Sequence, residues 1–93
     1  MDRITDKQLE AVASRINTIT NSPQTSYTRT DDKFVANVGN YHVSHAYGGV
    51  ALHRMDNSSG GVTDVLGRGH MPKRELYNLM HAFIRGFNTV KQD

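Results

Sequence analysis

NYHVSHAYGGVALHRM, residues 40–55, decides how the rest of the chain is read. Its side chains alternate on both sides of Gly48-Gly49, the pattern of two antiparallel strands joined by a tight turn. Toward the N-terminus, SYTRT and KFVANV keep the same period of two, with Asp31-Asp32 and Gly39-Asn40 as two-residue connections. Strands are therefore expected at about 26–30, 33–38, 41–47 and 50–56, as an antiparallel meander. Counting through the turns sets Val38 opposite Tyr41, Phe34 opposite His45, Tyr47 opposite Val50 and His45 opposite Leu52. Residues paired across a ladder point to the same side. One face then gathers Tyr27, Phe34, Ala36, Val38, Tyr41, Val43, His45, Tyr47, Val50 and Leu52 as the expected core. The other carries Thr28, Val35, Asn37, His42, Ser44, Ala46, Ala51, His53 and Met55.

Helices flank this meander. Thr5 and Gln8 form a capping box, Ile4 is placed to staple against Leu9, and Leu9, Val12, Ala13, Ile16 and Ile19 give one apolar stripe over about 6–19. Asn21 and Pro23 break the helix. After the turn DNSSGG, VTDVL reads as a fifth strand at about 62–66, with Val62 and Leu66 competing with Val65 for the inward side. A second helix is expected at about 72–87, with Pro72 in its first turn and Leu76, Leu79, Met80, Phe83, Ile84 and Phe87 on its apolar side. The tail NTVKQD is expected to fray. The fold class is α+β: an antiparallel β-meander of four to five strands with the N-terminal and C-terminal helices packed on one face. At 93 residues this is a single domain, 1–93.

Composition narrows the function classes. There is no cysteine, so neither disulfides nor thiolate zinc ligands are available, and no cofactor is called for. Eleven Lys and Arg against nine Asp and Glu leave a net charge of +2, too mild for nucleic-acid binding by bulk electrostatics. No membrane span is expected, and the opening MDRITDKQLE lacks the apolar stretch of a signal peptide.

Candidate site residues fall in two groups. On the outward sheet face lie His42, His53 and Met55. His45 points to the helix-covered side, so the three histidines of the hairpin cannot share one ion. His42 and His53, with Asp64, make at most a partial ligand set, weighed against ordinary solvated polar residues, and no metal is assigned. His45 is expected as a buried imidazole bonded to a tyrosine hydroxyl or a carbonyl. The second group is the basic approach to the last helix, GRGHMPKREL, where Arg68, His70, Lys73 and Arg74, with Arg85 farther along, can meet a phosphate or a carboxylate-rich surface. Lys73 and Arg74 oppose the helix dipole there, which invites a compensating anion; a solvated turn with Glu75 as local partner is the alternative.

The order helix, antiparallel strands, helix, with Lys73 and Arg74 opening the last helix, resembles the double-stranded RNA-binding domain, which implies phosphate contacts at those two residues. The chain departs from that family in the tight TRTDDKF turn and the extra strand. A second resemblance covers about half the chain: the AYGG hairpin, the Gly-Gly turn and the KREL helix opening look like small accessory proteins carried by tailed phages and prophages. That resemblance implies a non-catalytic protein in the host-cell cytoplasm that binds and blocks a host component of defence or replication. A protein partner is favoured over nucleic acid, because no exposed aromatic run is present to stack bases. A second copy of the chain is also an admissible partner.

Overall fold

Thr5 starts the first helix as expected. Its hydroxyl accepts from the Gln8 N–H at 3.1 Å while Gln8 Oε1 accepts from the Thr5 N–H at 2.8 Å, and helix α1 runs Asp6–Ile19. A left-handed Asn21 (φ 57°) ends it. In a computed structural model that describes residues 3–92, five strands and a second helix follow: β1 Tyr27–Thr30, β2 Lys33–Ala36, β3 Tyr41–Ala46, β4 Gly49–Met55, β5 Val62–Asp64 and α2 Lys73–Gln92. Pro72 lies one residue before α2, its carbonyl accepting the first helical bond from Leu76 at 3.1 Å. Of the tail NTVKQD, expected to fray, residues 88–92 continue the helix, and Asp93 lies outside the described residues.

The architecture is α+β, but the five strands form two antiparallel sheets instead of one meander. β1 and β2 make a two-stranded ribbon, and β3-β4-β5 make a three-stranded sheet. The first connection is the expected two-residue turn, with Asp31 and Asp32 both at positive φ and Thr30 opposite Lys33. The second is where the expectation fails. After Ala36 the chain is drawn away from β3's edge: the Asn37 N–H bonds Ser26 O, Gly39 N–H bonds Met55 O, and the Asn40 side chain holds Pro23 O and Ser26 Oγ. Phe34 therefore never meets His45.

The third turn is displaced by one residue. Ala46 pairs with Gly49, His45 with Val50 and Val43 with Leu52, so the turn residues are Tyr47 (φ 55°) and Gly48 (φ 73°) rather than the two glycines. Gly49 is needed elsewhere. A Cβ there would stand 2.9 Å from Met71 O and 3.0 Å from Met71 N, because Met71 bridges Val50 as a continuation of the sheet beyond β5. The bulkier Tyr47 is left in a left-handed turn position and is 96% exposed. Moving the turn by one residue shifts the pairing by two, which preserves which side chains share a face.

Both helices cover one face of the three-stranded sheet, α1 over β3 and α2 over β4, while packing against each other. Leu9 and Ile16 of α1, Leu52 of β4 and Leu76 and Met80 of α2 are fully buried between them. Each such side chain contributes about 1.5–3 kcal/mol by leaving water. Tyr41 and Val43 face this core as expected, Tyr41 meeting Phe83 at 5.8 Å between ring centroids. Val65 and Leu66 both pack against it, while Val62 is exposed. Tyr27, Phe34 and Val38, expected inside, are exposed, because the ribbon and the stretch after it leave the sheet that the helices cover; Tyr47, also expected inside, is exposed because it stands in the β3–β4 turn.

Candidate functional site

The outer face of the three-stranded sheet is built in rows. Pairing across β3, β4 and β5 sets His42, His53 and Asp64 side by side. One row on, Ser44 pairs with Ala51, and the Met71–Val50 bridge brings His70 to Ala51's other flank. Ala51 is small enough for the His70 imidazole to cross it, and His70 Nε2 lies 3.1 Å from Ser44 Oγ. Ala51 is buried beneath this crossing. The rings then follow one another in a file: Tyr47 to His70 at 5.7 Å, His70 to His53 at 5.7 Å and His53 to His42 at 5.9 Å, each pair edge to face. This juxtaposition of His70 with the hairpin histidines was not foreseen, since it depends on the unpredicted bridge at Met71.

His42 is fixed by what lies behind it. Asn40 is buried, its Nδ2 donates to Pro23 O at 2.8 Å, and its Oδ1 accepts from Ser26 Oγ at 2.9 Å. That same Oδ1 lies 3.2 Å from His42 Nδ1, so the imidazole donates there and keeps its Nε2 lone pair. Burial, and secondarily the neighbouring His53, holds the His42 pKa below the ordinary histidine value. Asp64 does not complete a ligand set with the two histidines. Its carboxylate accepts from the Gly67 and Gly69 N–H groups at 3.2 and 2.6 Å, shaping the loop that delivers His70. Among the described residues no group of three or more His, Asp or Glu is arranged to hold a metal ion.

Met55, expected outside as a contact residue, is 2% exposed. The chain folds back on it, its carbonyl accepting from Gly39 and its N–H donating to Asn40. Met55 is thereby removed from any recognition surface.

His45 also departs from expectation. It points to the helix-covered side but sits at the sheet's end, exposed, with Nε2 3.1 Å from Asp6 Oδ1. The same oxygen holds Lys73 Nζ at 3.1 Å. Asp6 is in the first turn of α1 and Lys73 opens α2, so this carboxylate is the compensating anion that the second helix's dipole invited. The His45 hydrogen bond, followed by that of Lys73, lowers the Asp6 pKa from its ordinary value. Of the other basic candidates, Arg68 is exposed in the Gly67–Gly69 loop and Arg74 stands in the first turn of α2. Arg85 lies eleven residues beyond Arg74, about 16 Å along the helix axis. The basic residues are strung out rather than convergent.

Two cavities open beside β3. The larger, about 410 Å³, lies between α1 and the β3 edge and is lined by Glu10, Ser14, Asn17, Gln24, His42 and Val43, among others. The smaller, about 350 Å³, sits at the hairpin tip against His45, Gly49, Val50 and Lys73. Asn17, 2% exposed, clamps the strand at the first: its Oδ1 accepts from the Tyr41 N–H at 2.7 Å and its Nδ2 donates to Tyr41 O at 2.9 Å. Sequence reasoning passed over Asn17, although it lies four residues after Ala13 on the apolar stripe, where a polar side chain must find partners.

Among the described residues, four exposed large apolar side chains lie together on the ribbon and its base, apart from Tyr47 at the hairpin tip, Val62 in β5 and Val90 near the end of α2. Phe34 is 69% exposed, and Tyr27, Val35 and Val38 are exposed with it. Arg29 lies over the Phe34 ring, 6.0 Å from its centroid. Among the described residues no helix is long and apolar enough to cross a membrane. Comparison with protein-family models, with curated proteins and with solved structures finds no match to this chain.

Proposed function

We propose that this chain is a non-catalytic accessory protein of the phage type, which acts in the host cell by binding a host protein of the defence or replication machinery and blocking it. The observation that carries the protein-binding part is the ribbon. A two-stranded hairpin alone is marginally stable in water, yet this one exposes Phe34, Tyr27 and Val35 instead of tucking them under a helix. Aromatic and β-branched side chains held out on a protruding hairpin are what a protein interface buries. The phage attribution rests on the resemblance of the AYGG hairpin and KREL helix opening. The alternative, phosphate binding at the start of α2, has less support, because Lys73 is already paired with Asp6.

The test is affinity capture from host lysate with the wild-type chain, Phe34→Glu, and a double charge reversal at Arg68 and Lys73. Loss of a specific protein with Phe34→Glu alone, at both 50 and 300 mM salt as order-of-magnitude conditions, is the expected result. Capture of nucleic acid that disappears at the higher salt and with the charge reversal would overturn it.

A further inference from the structure

Ladder alternation leaves one strand edge of the three-stranded sheet open. The Met55 N–H bonds Asn40 O, so in β3 the even-numbered residues exchange bonds with β4 and the odd-numbered ones direct theirs outward. Tyr41's outward N–H and C=O are taken by Asn17. Those of Val43 and His45 meet no protein group among the described residues. Strand edges are ordinarily guarded by lysine, proline or a bulge, and YHVSHA, residues 41–46, carries none of these.

The space beside the Tyr41–Val43 part of this edge has a definite shape and charge, and His45 continues the edge past it, into the lining of the smaller cavity at the hairpin tip. That space is the cavity of about 410 Å³ described above, walled by α1 on one side and closed at one end by the Asn17 clamp and Gln24. Ser14 and Gln24 satisfy each other through a 2.9 Å hydrogen bond. Glu10 is the one carboxylate in the lining, no lysine or arginine lines it, and Glu10 makes no ion pair among the described residues. A second copy of the chain would bring its own α1 wall to the same edge, so the groove favours a slender strand over another sheet.

We propose that the β3 edge takes an extended peptide segment of a partner protein, added as a further strand through the N–H and C=O groups of Val43 and His45, with a lysine or arginine side chain of that segment at Glu10. Main-chain bonds supply the docking and the carboxylate supplies the preference, as in other strand additions. This site is separate from the ribbon and stands or falls independently of it.

The test uses the full chain, labelled with ¹⁵N, and two probe peptides, acetyl-TVKVT-amide and its lysine-to-glutamine counterpart. The expected result is saturable binding of the lysine peptide that shifts the Val43 and His45 amides and slows their exchange with solvent. His45→Pro removes an outward N–H without touching the β4 ladder. It should weaken binding by about tenfold relative to His45→Ala, which loses the same contact with Asp6 but keeps the edge donor. Glu10→Gln should erase a preference of about threefold for the lysine peptide over the glutamine one. If His45→Pro does not fold, the Glu10 and peptide exchange decides alone. Equal binding by the two His45 variants, shifts that map away from β3, or no shift at Val43 and His45 at millimolar peptide would overturn the proposal. So would a concentration-dependent dimer abolished by His45→Pro but not by His45→Ala, since the edge would then belong to a second copy.

Discussion

The three-stranded sheet and the ribbon are written in the same alternating code, yet one is sealed under two helices and the other stands out in water. Val43 and Leu52 pair in β3 and β4 as Arg29 and Phe34 pair in β1 and β2. Only the first pair lies where α1 and α2 reach. Alternation settles which side chains share a face; whether that face is covered depends on where the chain turns away. Here Asn37 and Asn40 decide it, by binding the stretch after β2 to residues 23–26 and to Met55.

The largest test of this contrast is a pair of truncations. Leu52→Ala empties a fully buried position and should cost about 2–5 kcal/mol in chemical denaturation. Phe34→Ala removes a larger side chain from an exposed one and should stay within about 0.5 kcal/mol of wild type. Comparable losses at the two positions would mean that the ribbon face is covered in solution. Next in size are Gly49→Ala, which forces a Cβ against the Met71 backbone, and Asn17→Ala, which releases both outward groups of Tyr41. Each should cost about 1–3 kcal/mol. In contrast to the truncations, both act on how elements are joined to the sheet: Gly49→Ala at the Met71 bridge, Asn17→Ala at the α1 clamp.

Much of this was legible in the sequence. The first helix and its capping box, the α+β class, the Asp31-Asp32 turn and, within each hairpin though not across the two sheets, which side chains share a face all follow from local spacing. What was not legible depended on contacts between distant segments. A Gly-Gly pair reads as the turn itself unless it is known that Met71 passes within bonding distance of Gly49. His70 reads as part of a basic loop unless the same bridge is known to lay it across Ala51 onto Ser44. Asp6 reads as a helix N-terminal acid, and only the fold shows that Lys73 and His45 converge on it. The candidate site was thus read residue by residue more accurately than as a constellation: His42 and His53 are where alternation puts them, whereas Met55 and His45 have exchanged shelter and exposure relative to expectation.

pH reaches the sheet at two points, with a smaller effect. His42 has a folded pKa below the ordinary 6.5, so the unfolded chain takes up the proton more readily. Its contribution to stability is complete above 6.5 and is lost as pH falls through the lower folded value. Asp6 behaves likewise in a more acid window: its contribution is complete above 3.8 and is lost as pH falls through its depressed folded value. Melting temperature followed from neutral pH downward should therefore fall in two steps. His42→Gln should flatten the first step and Asp6→Asn the second. A first step that persists in His42→Gln would overturn its assignment to His42.

The smallest expected effect is confined to the ribbon and separates its stability from that of the domain. Asp31 and Asp32 both adopt positive φ, which aspartate tolerates and glycine accepts without strain. Asp32→Gly converts the turn to the sequence most suited to a two-residue hairpin and should stabilise the ribbon by a few tenths of a kcal/mol. If the ribbon opens on its own, as its separate sheet and exposed faces imply, the gain appears as slower amide exchange at Thr28 and Val35 while the global denaturation midpoint stays put. If the midpoint rises with the local protection, the ribbon and the sheet melt as one unit. The anchoring of Asn37 and Asn40 to residues 23–26 would then transmit stability between the two regions as well as set their orientation.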